Sequence, residues 1–209
     1  MVIAPPALEA RWPGLARAAW MLLLATLVFA AGNALYRNKT NGLWKHPDQV
    51  IPIRVLQSMH QRGDRDTDWA RTSMPGHFHK FHYNFSGYLI ASKAVLDTAG
   101  GAAYADEALL ADDLLRISRV FSAFTLVLVF LQVARYRGWL HGLAAAAAVS
   151  AVPQLLQDAN YMRPEAIGTF LFTLVFCLAL PRPRGTGLRL LQVAVLCLLA
   201  GFLTTIKFT

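Results

Sequence analysis

Three short stretches of this chain hold side chains that could do chemistry. His46-Pro47-Asp48-Gln49 lies just past the first long apolar segment, HFHKFHYNF at 77–85 sets His77, His79 and His82 among aromatic rings, and Arg163-Pro164-Glu165 sits between two apolar segments. A carboxylate at the boundary between apolar and polar chain can orient and deprotonate a hydroxyl. A guanidinium grips phosphate through paired N–H donors, and an ammonium such as that of Lys207 adds a point charge. Each residue also has a plainer role open to it. Asp48, before an amphipathic run, suits a helix N-cap. Arg163 suits an interfacial anchor or an ion pair with Asp158 or Glu165, and Lys207 suits a headgroup anchor at a helix end.

The elements that position these residues follow from hydropathy. Of 209 residues 56% are hydrophobic and 15% charged, with a mean hydropathy of +0.40, too apolar for an ordinary soluble domain of this length. Runs at 18–36, 117–134, 139–156, 166–180 and 188–208 approach the roughly 20 apolar residues that cross a bilayer. The expectation is an all-α, polytopic membrane bundle of about five spans. Pro153 sits near the end of the third run and Pro181 closes the fourth, so both boundaries can shift by several residues. The first run, preceded by Arg11 and Arg17, also has features of a signal peptide; its continuation to Tyr36 favours an uncleaved anchor.

Orientation follows from Arg135 and Arg137 in one short loop and Arg182, Arg184 and Arg189 in another. Basic short loops face the cytoplasm. The N-terminus is then cytoplasmic, while 37–116 and the turn at 157–165 are extracytoplasmic, as in a multi-pass protein of a cell (inner) membrane. The net charge of +8 and pI near 9.9 come from arginines scattered over loops, not from one basic stripe, which argues against nucleic acid. Cys177 and Cys197 fall inside apolar runs, so no disulfide framework staples the outer loop.

Within that loop, Val50, Ile51, Ile53, Val55, Leu56 and Met59 fall mostly on one side of a helix running from Asp48 toward Gln61, expected to lie along the membrane surface. A second helix is expected over 86–98, stopped by Gly100-Gly101. Asp106-Glu107 reads as the solvated face of another surface helix. The histidine run is a loose match to a metal site, because no carboxylate or cysteine stands at fixed spacing. Packing at an interface and contacts to a sugar or acceptor suit its rings equally. The sequons at Asn38 and Asn84 carry little weight in a composition that looks bacterial.

Taken in order, an N-terminal span, HPD at 46–48, YNFSGYL at 83–89, RPE at 163–165 and GFLTTIKFT at 201–209 resemble the amino-terminal part of a GT-C glycosyltransferase. That superfamily includes protein O-mannosyltransferases and the aminoarabinose transferases of bacterial lipid A. The resemblance implies transfer of a sugar from a polyprenyl-phosphate carrier to a lipid, glycan or protein acceptor hydroxyl outside the cytoplasm. It implies Asp48 as the catalytic acid-base group, with His46, His82, Tyr83, Asn84, Arg163, Glu165 and Lys207 as candidates for substrate contact. Many relatives carry Glu after this Asp where this chain has Gln49, so no metal ligand is assigned and a divalent cation is not firmly implied. The chain is expected to be a piece of a longer enzyme. Two other classes stay open: a multi-pass transporter, which should carry charges near mid-membrane, and a non-catalytic scaffold, which should tolerate loss of Asp48.

Overall fold

A computed structural model of the protein describes residues 50–67, 86–181 and 185–207, apart from the side chains of 102, 103 and 207. Among these residues every regular element is helical: α1 (Val50–Arg62), α2 (Ser86–Thr98), a 3-10 turn (Ala102–Ala105), α3 (Glu107–Arg137), α4 (Trp139–Ser150), α5 (Pro153–Asp158), α6 (Glu165–Ala179) and α7 (Thr186–Lys207).

Helix α1 buries Ile51, Ile53, Val55, Leu56 and Met59, and carries Pro52 in its first turn, where a missing N–H breaks no helical bond. Helices α1 and α2 end alike. After α2, the Gly101 amide reaches back to the Leu96 carbonyl at 3.1 Å and the Gly100 amide to that of Asp97 at 3.1 Å, with Gly100 at φ 93°. This is the left-handed stop that glycine adopts without strain, and it falls where the sequence places it. The apolar face of α1 was expected to rest on a membrane surface. It is instead covered by protein: Ile53, Val55, Leu56 and Met59 are completely buried in a cluster with Tyr88 and Leu89 of α2, Leu110 and Leu114 of α3, and Ile167 of α6.

Helix α3 starts well before the expected boundary at 117. Asp106 caps it, its Oδ1 accepting from the Ala108 amide at 2.7 Å, and Arg116 pairs with both Asp112 and Asp113 along its first turns. The last part of the expected outer loop is therefore the opening of the long helix. With 31 residues it is roughly 46 Å long at 1.5 Å per residue.

The expected third span, 139–156, is not one helix. It breaks at Ala151-Val152, and Pro153 opens the short α5, because proline supplies no amide to continue the ladder of α4. Helix α4 has 12 residues and α6 has 15, roughly 18 and 22 Å against a hydrocarbon core of about 30 Å. Among the described residues two helices, α3 and α7, are long and apolar enough to cross a membrane. The five-span expectation thus finds two such helices where four of its spans fall; the first, 18–36, lies outside the described residues. The most extensive helix contacts are α3 with α4 and α6, α6 with α7, and α2 with α7.

Candidate functional site

The N-terminus of α2, the turn at 159–164, the start of α6 and the end of α7 meet at one place. Gly87 makes the meeting possible. A Cβ there would collide with the Thr205 hydroxyl and lie 3.0 Å from the Thr205 carbonyl carbon, so only glycine lets α2 come this close to α7. One residue on, Tyr88 is completely buried, and burial pushes its phenol well above the ordinary tyrosine range; the nearby Glu165 charge adds to this. The Ser92 hydroxyl, one turn along α2 and also fully buried, opposes the shift, yet the two hydroxyls do not meet in hydrogen-bonding geometry.

Glu165 is the first residue of α6, where the partial positive charge of the helix end favours a carboxylate. Its Oε2 is shielded from solvent. Arg163 is half-buried, with its guanidinium 5.4 Å from the centre of the Tyr161 ring. The turn that carries both is fastened to α3. Ser118 Oγ lies 2.9 Å from the Tyr161 carbonyl, Arg119 donates to Asn160 Oδ1 at 3.3 Å, and Asn160 Nδ2 donates to the Leu156 carbonyl at 2.9 Å. These supporting residues escaped the sequence reading, although Ser118, Ser122 and Thr125 repeat at helical spacing in an apolar run and are all buried.

A groove of about 490 Å³ opens between α5, α6 and α7 beside this turn. Gln154, Asp158, Glu165 and Thr169 are polar residues of its lining; Gly168, Phe172, Leu203 and Ile206 are among the apolar ones. Asp158 is 7% exposed and accepts from Gln154 Nε2 at 2.7 Å. The volume lies within the roughly 300–1,000 Å³ usual for small-molecule sites.

A second polar group braces the same lobe. Lys93, 8% exposed, donates to both oxygens of Asp97 at 3.1 and 2.9 Å, and the Tyr104 hydroxyl donates to Asp97 Oδ1 at 3.0 Å. The Lys93 ammonium, then the Tyr104 hydroxyl, hold the Asp97 carboxyl below the usual carboxylate range despite the opposing effect of burial, while burial and Asp97 push the Tyr104 phenol up. His60 stacks on the Tyr104 ring at 4.1 Å, and Gln57 donates to the Tyr104 carbonyl at 3.3 Å, so α1, α2 and the 3-10 turn are tied together. Arg54 of α1 pairs with Glu107 of α3 at 2.6 Å.

Of the residues singled out from sequence, Arg163 and Glu165 are brought to this junction. Lys207 ends α7 directly after the buried Ile206. Asp48, His46, His82, Tyr83 and Asn84 lie outside the described residues, as do His77 and His79. Helix α1 begins two residues after Asp48. Among the described residues no three His, Cys, Asp or Glu side chains are grouped to hold a metal ion. Chemically, the groove sets the Asp158 and Glu165 carboxylates in a mostly apolar lining, with Arg163 in the turn just before Glu165 and its guanidinium over the Tyr161 ring. Compared with protein-family models, curated proteins and solved structures, the chain matches none.

Proposed function

We propose that this is a membrane glycosyltransferase of GT-C type, which moves a sugar from a polyprenyl-phosphate carrier to an acceptor hydroxyl on the extracytoplasmic side. The observation that supports this reading is the seating of α2 on the ends of α6 and α7. Through Gly87 on Thr205 and Tyr88 beside Glu165, it gathers residues 86–89, 163–165 and 201–206, far apart in sequence, at the end of the long apolar helix α7. A site at that position can receive a substrate held in the bilayer and another from the aqueous side.

In this mechanism the glycosyl phosphate brings its own leaving group, and the chain's task is to hold that phosphate and activate the acceptor. Arg163 and Lys207 supply positive charge for the phosphate. Asp48, just before α1, takes the proton from the acceptor hydroxyl as its oxygen attacks the anomeric carbon. General-base help of this kind is worth about 100- to 10,000-fold.

The test is Asp48→Asn, which keeps the shape and capping ability of the residue but removes the proton acceptor. Transfer from a polyprenyl-phosphate sugar in detergent should fall by about two orders of magnitude or more. Near-normal transfer would leave Asp48 as a helix cap and remove it from the mechanism.

A further inference from the structure

The end of the bundle opposite the α2–α6–α7 junction carries charge of one sign. Helix α6 runs parallel to α3, since Ser118 meets the turn before α6 and Phe170 then packs on Phe121 and Phe124, with ring centres 5.2 and 6.0 Å apart. Helix α4 returns along α3, where a Cβ at Gly142 would lie 2.7 Å from the Phe130 carbonyl oxygen. Helix α7 returns along α6, with Gln192 on the Leu178 carbonyl and Ile206 against Gly168. The last turn of α3, the first turn of α4 and the first turn of α7 therefore share one end, and bring Arg135, Arg137, His141 and Arg189 to it. No acid along these helices opposes them. Residues 114–157 and 166–209 contain no Asp or Glu, and Asp158 and Glu165 belong to the other end.

Arg135, Arg137 and Arg189 are all exposed. The Arg135 guanidinium lies 5.8 Å from the centre of the Tyr136 ring, a contact that neutralises no charge. Hydrocarbon stands directly beside these cations. Leu131, one helical turn before Arg135, Leu140 at the start of α4, and Leu190, next to Arg189, are each more than half exposed. A ligand that satisfies this surface must carry negative charge and hydrocarbon side by side. A nucleic acid or an acidic peptide supplies the charge and leaves the leucines in water. An anionic phospholipid supplies both, and its phosphate matches the paired N–H donors of arginine.

We infer that this arginine-bearing end binds anionic phospholipids, their phosphates on Arg135 and Arg137 and their acyl chains along the exposed leucines. The inference rests on α3 and α7 lying in a membrane and is separate from the transferase reading, since binding is measured without sugar transfer.

The experiment offers the purified full chain, in detergent, equal amounts of phosphatidylglycerol and phosphatidylcholine with identical acyl chains, and weighs the intact complexes by native mass spectrometry. One basic residue beside an anionic head favours it about fivefold, so with two the phosphatidylglycerol complex should exceed the phosphatidylcholine complex by about tenfold or more. Arg135→Gln combined with Arg137→Gln should cut that ratio at least about fivefold. Arg116→Gln is the control: it removes an exposed arginine at the other end, already paired with Asp112 and Asp113, and should leave the ratio unchanged. An arm with the unaltered chain raises the salt, which screens exposed charges and should lower the ratio. Glycerol phosphate, the head without its chains, should not displace the lipid at equal concentration. Equal retention of the two lipids, an unchanged ratio in the double variant or at high salt, an equal loss in Arg116→Gln, or displacement by glycerol phosphate would overturn the inference. A chain that shows the preference but transfers no sugar would instead count against the transferase reading alone.

Discussion

Gly87 of α2 rests against the backbone of Thr205 in α7, so close that any side chain at 87 would strike the Thr205 hydroxyl and carbonyl. Gly87→Ala should therefore destabilise the protein by about 1–3 kcal/mol, the usual cost of overpacking a closed contact. Denaturant unfolding in detergent measures it. Gly168→Ala is the matched control: its Cβ would make an ordinary 3.8 Å contact, and alanine is the better helix former by up to about 1 kcal/mol, so stability should hold or rise.

The Lys93–Asp97–Tyr104 group predicts a pH dependence. Because the Asp97 carboxyl is held below its usual range, its contribution is present above the ordinary carboxylate pKa of about 3.9 and disappears as the pH falls through the lower folded value. Asp97→Asn should remove this part of the acid loss. At neutral pH it should cost about 1 kcal/mol, near the upper end for an exposed pair, since the Asp97 side chain is 43% exposed while that of Lys93 is 10% exposed. Thermal melts from neutral to acid pH, wild type against variant, would expose the difference; parallel curves would contradict it.

Tyr88 and Tyr104 act at the other end of the scale. Both phenols are pushed up in the folded state, chiefly by burial, so the stability they confer is complete below about pH 10 and is lost as the pH rises toward the folded values. Phenolate absorbance from these two residues should appear together with unfolding, not ahead of it. Because the buried Tyr88 hydroxyl has no hydrogen-bond partner among the described residues, Tyr88→Phe should be neutral or stabilising by up to about 1 kcal/mol. A loss of more than that would reveal a partner for the hydroxyl.

Gln192 of α7 donates to the carbonyls of Leu178 at 2.6 Å and Pro181 at 2.7 Å, the groups left open where α6 ends. Gln192→Leu keeps the bulk and removes both donors, and should cost about 1–3 kcal/mol. The same unfolding assay checks it, with Gln192→Glu expected to be no better, since a carboxylate offers no donor.

Orientation gives a cellular test. If the arginine-bearing short loops face the cytoplasm, a reporter active only outside it should work when fused near residue 76 and stay silent near 138 or 185. The reverse pattern would place the α2–α6–α7 junction on the wrong side for the proposed chemistry.

What could be read from the sequence was local. The end of α2 follows from Gly100-Gly101, and α1 from its apolar face, because each signal lies within a few consecutive turns of chain. Boundaries failed where polar residues sit inside a helix. Asp112, Asp113 and Arg116 hid the opening of α3, although Asp106 followed by apolar periodicity is a start signal. Pro153 marked a break whose extent depends on where the chain goes next. Arg163 and Glu165 stood out as candidates from residue type alone, and both fall at the α2–α6–α7 junction. Their neighbours Tyr88, Ser118, Arg119 and Thr205 did not stand out, because only packing between distant segments supplies them.

The contact between Gly87 and Thr205 also sets an order of assembly. Helices α3 and α4 are joined by Gly138 alone and can pair as soon as both are made. Residue 87, in contrast, waits for residue 205, which the ribosome supplies more than a hundred residues later, and contacts of such long separation form late. During synthesis α2 therefore remains without its seat until α7 is nearly complete. A chain stalled before that helix would carry Arg163 and Glu165 without the wall that α2 and α7 provide. The junction therefore closes only after residue 205 has been made, so shorter products should lack it altogether.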